Sequence, residues 1–227
     1  MSTKLNGYTL PDETINLMRS ILSKSIQKGV ESGFTLCSDQ KNNLQARNIC
    51  SGDSCAISVK EKCDKQEKFA GSYHTHPRSY STASAGDLIY CGAIPNVCIG
   101  GEDNKIKCYT WKHNRTTEEK YNELVDKLNK GIKQIDDPIH EKTFECMKGF
   151  GYIVHTEKIV RENDKKVDIL FSLIKMAEQE KIPEDKIDSM KESMKHLLGR
   201  RKKVVSEMNK NSAELIPSYY KEKILEQ

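Results

Sequence analysis

A predicted strand, a short polar loop and a predicted helix follow one another before the middle of the chain, and this unit most constrains the fold. Residues 69–76 mix apolar and small side chains, and Pro77 cannot donate to a ladder, so the strand is expected to end there. The loop over residues 78–83 is polar and small, and Ser84 followed by Asp87 resembles a capping box at a helix start. With the alternating helices and strands around it, this unit predicts an α/β fold with a mixed sheet.

Two histidines on the predicted strand, His74 and His76, indicate a metal site. Side chains at positions i and i+2 of a strand point to the same face, so both imidazoles are expected to project the same way. Asp87 adds a carboxylate, and three protein ligands leave a fourth zinc position open, as in catalytic zinc sites. Each pattern alone has an ordinary explanation, since His-x-His is often coincidental and Ser84 with Asp87 can simply cap a helix. Their order and spacing together favour metal ligation, and Ser84 can cap the helix while it aims Asp87 at the metal.

This arrangement resembles the signature of the JAMM (MPN+) metalloproteases, which is His-x-His, seven residues, Ser, two residues and Asp. His74, His76, Ser84 and Asp87 match every interval, and Pro77 after the second histidine also fits. The resemblance implies one zinc ion per chain, held by the two histidines and the aspartate, with a zinc-bound water as the nucleophile. It also implies that the Ser84 hydroxyl stabilises the charge that develops on the substrate oxygen.

The resemblance covers residues 1–135 and implies an MPN domain with a mixed β-sheet flanked by helices. Residues 136–227 are expected to form an α-helical C-terminal region. This region is predicted either to pack on the first domain or to bind a partner protein.

An upstream glutamate is also implied by the resemblance, at the start of a strand that follows a helix. Apolar residues recur at helical spacing over residues 12–28, and a strand-like run follows over residues 30–37, with Glu31 near its front. In that position Glu31 is expected to be the general base and general acid. Glu61 and Glu67 compete for the role, although both lie in a lysine-rich stretch that is typical of a solvated loop.

By resemblance, the activity is hydrolysis of amide bonds, chiefly isopeptide bonds, in conjugates of ubiquitin or ubiquitin-like modifiers. Few residues separate Asp87 from the next predicted strand, so the catalytic half resembles the compact archaeal and bacterial members. Cleavage of a small archaeal-type modifier, or general peptide trimming, fits the sequence as well as deubiquitination does. Two other interpretations stay open: a non-catalytic MPN-type assembly subunit that acts through its C-terminal helices, and a zinc peptidase for a substrate unlike ubiquitin.

The remaining elements follow from apolar periodicity and turn residues. Further strands are predicted over residues 44–50, 55–59, 96–100 and 105–111, and further helices over residues 84–91 and 121–135. Later in the chain, the predictions are a helix over residues 139–150, a loop and short strand over 149–154, and a buried helix over 167–177. A long helical pattern from Pro183 to Met208 favours packing within the chain, with a dimerising or partner-binding helix as the alternative.

Composition and charge restrict the class of protein. The 227 residues are 36% hydrophobic, and no apolar run is long enough for a secretory signal or a membrane span, so a cytoplasmic, intracellular protein is expected. The net charge of +4 is small, and the basic run over residues 200–203 is typical of a solvated helix face, so nucleic acid is not expected as a partner. The isolated histidines are interpreted as surface or core residues rather than ligands: His113, His140, His155 and His196.

The cysteines show no metal-binding pattern. None of the eight lies in a Cys-x-x-Cys pair, so free thiols in a reducing compartment are expected. A second metal or a disulfide among Cys50, Cys55 and Cys63 is the alternative, because these three are close in sequence. The full set is Cys37, Cys50, Cys55, Cys63, Cys91, Cys98, Cys108 and Cys146.

Overall fold

A six-stranded mixed sheet forms the centre of the protein in a computed structural model, which describes residues 2–52, 57, 59–112, 118–135 and 151–225. The elements in chain order are β1 (Thr3–Leu5), β2 (Tyr8–Leu10), α1 (Asp12–Lys28), β3 (Ser32–Ser38), β4 (Leu44–Ser51), β5 (Lys68–His76), α2 (Ala85–Ala93), β6 (Val97–Gly101), β7 (Ile106–Trp111), α3 (Glu118–Ile135), α4 (Gly151–Gln179), α5 (Glu184–Tyr219) and β8 (Tyr220–Leu225). The strand order is β4-β3-β5-β6-β7-β8, with β5 and β6 parallel and the other neighbours antiparallel. This architecture confirms the predicted α/β class with a mixed sheet.

Helix α1 covers one face of the sheet and coincides with the predicted range. Its first turn carries two acidic residues, which the helix dipole favours at that end. Gly29 ends the helix with a φ of 65°, a left-handed conformation that glycine adopts without steric cost. The buried side chains Met18 and Leu22 belong to one core cluster with Phe34 and Tyr73, so α1 is held by the apolar face of the central strands.

A second core cluster lies against the other face of the sheet. Leu88 of α2, Leu124 of α3 and Ile216 of α5 pack there with Ile99 and Tyr109 of the sheet. The sheet is therefore enclosed between two helical layers, an arrangement that buries both of its faces. The strand that carries the histidines, β5, lies in the interior of the sheet between β3 and β6.

The C-terminal part departs from several predictions. Residues 151–154 are helical, so the predicted short strand there is wrong; the predicted range 139–150 lies outside the described residues. The predicted buried helix over 167–177 is part of α4, but Phe171 and Met176 are 62% and 53% exposed, so its burial is only partial. A high number of apolar residues does not predict full burial here, because α4 packs along one stripe and leaves the rest of its surface to solvent.

Strand β8 has no counterpart among the predicted elements. It pairs antiparallel with β7 over six residues and extends the sheet. Strand β8, from the C-terminal part, therefore belongs to the sheet that the first half of the chain forms. The boundary at residue 135 between an MPN domain and a helical C-terminal region stays a prediction. No helix among the described residues is long and apolar enough to cross a membrane.

Among the described residues, disulfide bonds join two cysteine pairs, so the expectation of free thiols is wrong for these four cysteines. Cys98 and Cys108 are register partners on β6 and β7, and Cys37 of β3 bonds to Cys63 across a sequence separation of 26. Sheet pairing and a returning loop bring these thiols together, and neither is visible in Cys-x-x-Cys spacing. Cys50 is in neither disulfide bond, and its Sγ donates to the Gly33 carbonyl oxygen at 3.7 Å. The side chains of Cys55, Cys91 and Cys146 lie outside the described residues. The predicted strand over residues 55–59 also lies mostly outside them, and its two described residues, Ile57 and Val59, are in no strand.

Candidate metal centre

The side chains of His74, His76 and Asp87 meet where β5 ends and α2 begins. The Nε2 atoms of the two histidines lie 3.1 Å apart. Asp87 faces both rings, with Oδ1 3.0 Å from His74 Nε2 and Oδ2 3.3 Å from His76 Nε2. The three potential ligand atoms all lie within 4.8 Å of one another. The structure therefore brings together the three residues that the sequence predicts as metal ligands.

The N-terminus of α2 aims Asp87 at the histidines. Ser84 is the N-cap residue, and its Oγ accepts a hydrogen bond from the Asp87 N–H at 3.2 Å. In return, Asp87 Oδ2 accepts from the Ser84 N–H at 2.8 Å. The two residues thus cap the helix and also turn the Asp87 carboxylate towards the histidines, an arrangement that the sequence predicts. Ser84 also lines the cavity above the histidines, and because its oxygen is the acceptor in the cap, its hydroxyl proton can be donated to another group.

Burial and mutual charge govern the protonation of the ligand group. Burial disfavours the charge of Asp87, but the two histidines outweigh it and hold the pKa of this carboxyl well below its usual range. Burial also disfavours the charge of His76, yet the hydrogen bond to Asp87 and the charges of Asp87 and Glu31 raise the pKa of His76 to about 9. A histidine ligand must be neutral, so the binding of a metal ion by these three residues would displace a proton from them.

A backbone carbonyl orients the ring of His76. The Tyr80 carbonyl oxygen lies 3.3 Å from His76 Nδ1. When Nδ1–H donates to this oxygen, Nε2 carries the lone pair and points it towards Asp87, which is the tautomer that a metal ligand requires. Sequence inspection misses this contact because a backbone acceptor has no residue-type signature.

A glycine lets the neighbouring strand approach the first histidine. Gly33 of β3 pairs with His74 of β5. A Cβ atom at Gly33 would lie 2.3 Å from the Tyr73 carbonyl oxygen and 3.0 Å from His74 Cβ. The spacing of β3 and β5 beside the site therefore depends on the missing side chain.

The Gly33→Ala variant is expected to lose about 1–3 kcal/mol of unfolding free energy, because the added methyl group forces the strands apart. It is also expected to bind zinc more weakly, since the same shift displaces His74. Urea unfolding and zinc titration measure the two effects. Gly199→Ala is the control, because a Cβ there meets nothing within 4 Å, and a helix interior should gain about 0.5–1 kcal/mol. Unchanged stability and zinc affinity in Gly33→Ala would contradict this account of the strand spacing.

Glu31 lies directly before β3 and lines the same cavity as the two histidines. It is only 7% exposed, and its charge contributes to the raised pKa of His76. The structure therefore places the predicted glutamate in the site, although the strand begins at Ser32, later than the sequence indicates.

Two hydroxyl side chains hold the backbone on both sides of Glu31. The Ser25 hydroxyl donates to the Val30 carbonyl at 2.6 Å, and the Ser32 N–H donates to Thr75 Oγ1 at 2.9 Å. Ser25 Oγ and Thr75 Oγ1 are themselves 2.5 Å apart. Thr75 lies between the two histidines in sequence and points to the opposite face of β5, so this one strand positions both histidines and Glu31. Sequence inspection misses Ser25 and Thr75, because their partners are far away in the chain.

The competing glutamates have other partners. Glu61 lines the cavity, but its carboxylate accepts a hydrogen bond from the Tyr90 hydroxyl at 2.6 Å. Glu67 pairs with Arg47, whose Nη2 lies 2.5 Å from Glu67 Oε1, and it lines a separate surface cleft. Among the other histidines, His196 is exposed, whereas His113, His140 and the side chain of His155 lie outside the described residues.

Side chains from α4 and α5 also line the cavity above the two histidines, which has a volume of about 510 Å³. Arg201 of α5 is one of them, although the basic run around it is predicted to be a solvated face. Its Nε lies 2.5 Å from Oδ1 of Asp164, which is fully buried. The prediction is wrong for Arg201, because a buried carboxylate on the neighbouring helix draws this one side chain inward.

The chain matches no protein-family model and no curated protein. Two imidazole nitrogens and a carboxylate form a group that can hold a metal ion. Nitrogen and oxygen donors of these types are usual for zinc and related transition metals.

Proposed function

We propose that the protein is a zinc-dependent isopeptidase of the JAMM (MPN+) type, which hydrolyses amide bonds in conjugates of ubiquitin or ubiquitin-like modifiers. The observation that carries the proposal is the convergence of His74, His76 and Asp87 in one cavity with Glu31 and Ser84. Structural zinc sites are closed by four protein ligands, whereas this group has three among the described residues. The spacing of its residues adds support through its resemblance to the JAMM signature.

Each residue of the site has a chemical role in this proposal. His74, His76 and Asp87 would hold the ion, and zinc bound there would supply a Lewis acid that activates water and polarises a carbonyl. Glu31 accepts the proton of the attacking water and passes it to the leaving amine. The Ser84 hydroxyl donates to the substrate oxygen as negative charge develops on it. Burial strengthens these interactions because it lowers the local dielectric constant.

Metal analysis and a substrate panel test the proposal. Purified protein is expected to bind one zinc ion per chain. It is expected to cleave at least one member of a panel of ubiquitin, ubiquitin-like and short-peptide isopeptide conjugates. A chelator should abolish cleavage and added zinc should restore it. Cleavage that survives removal of the metal, or a folded protein that cannot take up zinc, would contradict the proposal.

A non-catalytic assembly subunit is the second candidate, and the surface of α4 favours it. Ile169, Leu173 and Met176 recur at helical spacing on one face of α4 and are between 46% and 59% exposed, and an exposed apolar patch of this kind is typical of a protein-binding surface. A scaffold of this kind needs no metal chemistry. It would therefore keep its oligomeric state and partners when Asp87 or Glu31 is replaced, and it would cleave no conjugate in the panel.

A further inference from the structure

Helices α4 and α5 contribute an apolar surface to the metal cavity. Val160 of α4 and Val205 and Met208 of α5 line the cavity that also contains His74 and Glu31. Val160 and Met208 are 8% and 6% exposed, so they are packed in place rather than free on the surface. The cavity therefore combines a polar metal-binding group with an apolar wall that comes from a distant part of the chain.

Polar contacts fasten this wall to the loop that follows β5. Arg201 Nη1 donates to the Arg78 carbonyl oxygen at 3.2 Å, and Asn209 Nδ2 donates to Ser79 Oγ at 3.0 Å. The Arg78 side chain reaches α4, where its Nη2 lies 3.1 Å from Asp168 Oδ1. Because this loop starts directly after the second ligand histidine, the wall and the ligand group are parts of one connected structure.

Arg201, the charged residue of α5 that lines the cavity beside this apolar wall, is already paired with a carboxylate. The guanidinium of Arg201 is held by Asp164, which is fully buried. Its charge is therefore largely balanced within the protein, and it gives an acidic substrate side chain little attraction. A charged or polar side chain placed against Val205 and Met208 would lose water without gaining a hydrogen bond from either of these side chains. The wall consequently favours an apolar substrate side chain over a charged one.

We propose that Val160, Val205 and Met208 form a selectivity wall, which binds an apolar side chain next to the scissile amide of the substrate. This inference rests on the proposed function in taking the cavity as the substrate site, but it concerns binding rather than cleavage. Changes of one methylene in a hydrophobic pocket alter selectivity by about 10- to 200-fold. Exchange of an apolar side chain of the substrate for a charged one is therefore expected to weaken binding by at least about 10-fold.

Peptide binding to the full-length, metal-free protein tests the wall without a catalytic step. The probes are fluorescent peptides with a glycyl-lysine isopeptide bond. In each peptide, one of the two positions on either side of that bond carries leucine, lysine or glutamate. At one position, leucine is expected to bind at least about 10-fold more tightly than glutamate in fluorescence anisotropy. Val205→Asp should remove this preference, and Val205→Thr, which conserves the shape, should reduce it by a smaller factor.

Ser206→Asp is the matched control, because it places the same charge on the exposed neighbouring position of α5 and should leave the preference unchanged. Thermal unfolding and circular dichroism check that each variant is folded. Equal binding of leucine and glutamate peptides at every position would overturn the wall, and so would an unchanged preference in both folded Val205 variants. If no conjugate is cleaved but the leucine preference depends on Val205, the isopeptidase proposal fails while the wall is supported.

Discussion

The Glu31→Gln variant is expected to have a kcat about 100- to 10,000-fold below that of the wild type, while it binds zinc with unchanged stoichiometry. Glutamine keeps the size of the Glu31 side chain but cannot accept the proton of the attacking water. The residue is 7% exposed and lies in the metal cavity, so bulk water is a poor substitute for it. Steady-state kinetics on the best conjugate, together with metal analysis of the same sample, separate loss of proton transfer from loss of metal.

Glu61→Gln provides the matched control, because it makes the same chemical change in the same cavity. The Glu61 carboxylate accepts a hydrogen bond from the Tyr90 hydroxyl, and a glutamine oxygen can accept the same bond. Its kcat should therefore stay within a few-fold of the wild-type value. Full activity in Glu31→Gln with loss of activity in Glu61→Gln would transfer the role of general base to Glu61.

The elements nearest the site were predictable because their signals are local. Alternation along β5 places His74 and His76 on one face, and the structure confirms that both rings meet Asp87. The cap between Ser84 and Asp87 depends on residues three apart, so spacing alone could indicate it. Helix α1 follows in the same way from apolar residues at helical intervals.

The parts that were missed depend on contacts between distant segments. Residues 220–225 form strand β8 by pairing with the edge of β7, which is distant in the chain. The Cys98–Cys108 bond likewise requires the register of two paired strands. Arg201 belongs to a basic run that predicts a solvated helix face, yet its side chain turns inward because Asp164 lies on a neighbouring helix. Sequence patterns report which face of an element is apolar, but they do not report which other element will cover it.

The two residues of the cap can be separated by mutation. Asp87→Asn is expected to weaken zinc binding by more than the roughly 10- to 100-fold that is typical of lost outer-sphere partners, because a charged ligand disappears. The asparagine side-chain oxygen can still accept from the Ser84 N–H, so α2 should keep most of its cap. Zinc titration, thermal unfolding and conjugate cleavage are measured together, and cleavage should be lost with the metal.

Ser84→Ala should give the opposite pattern. It removes the Oγ that accepts from the Asp87 N–H, which costs about 1 kcal/mol, or roughly 2–4 °C in Tm for a protein of this size. Zinc binding should persist, since the donor to the Asp87 carboxylate is the Ser84 backbone N–H, which alanine retains. Cleavage should nevertheless fall by about 100- to 1,000-fold, because the oxyanion loses its donor. If cleavage falls only in proportion to a loss of zinc, Ser84 acts by holding Asp87 and not by contacting the substrate.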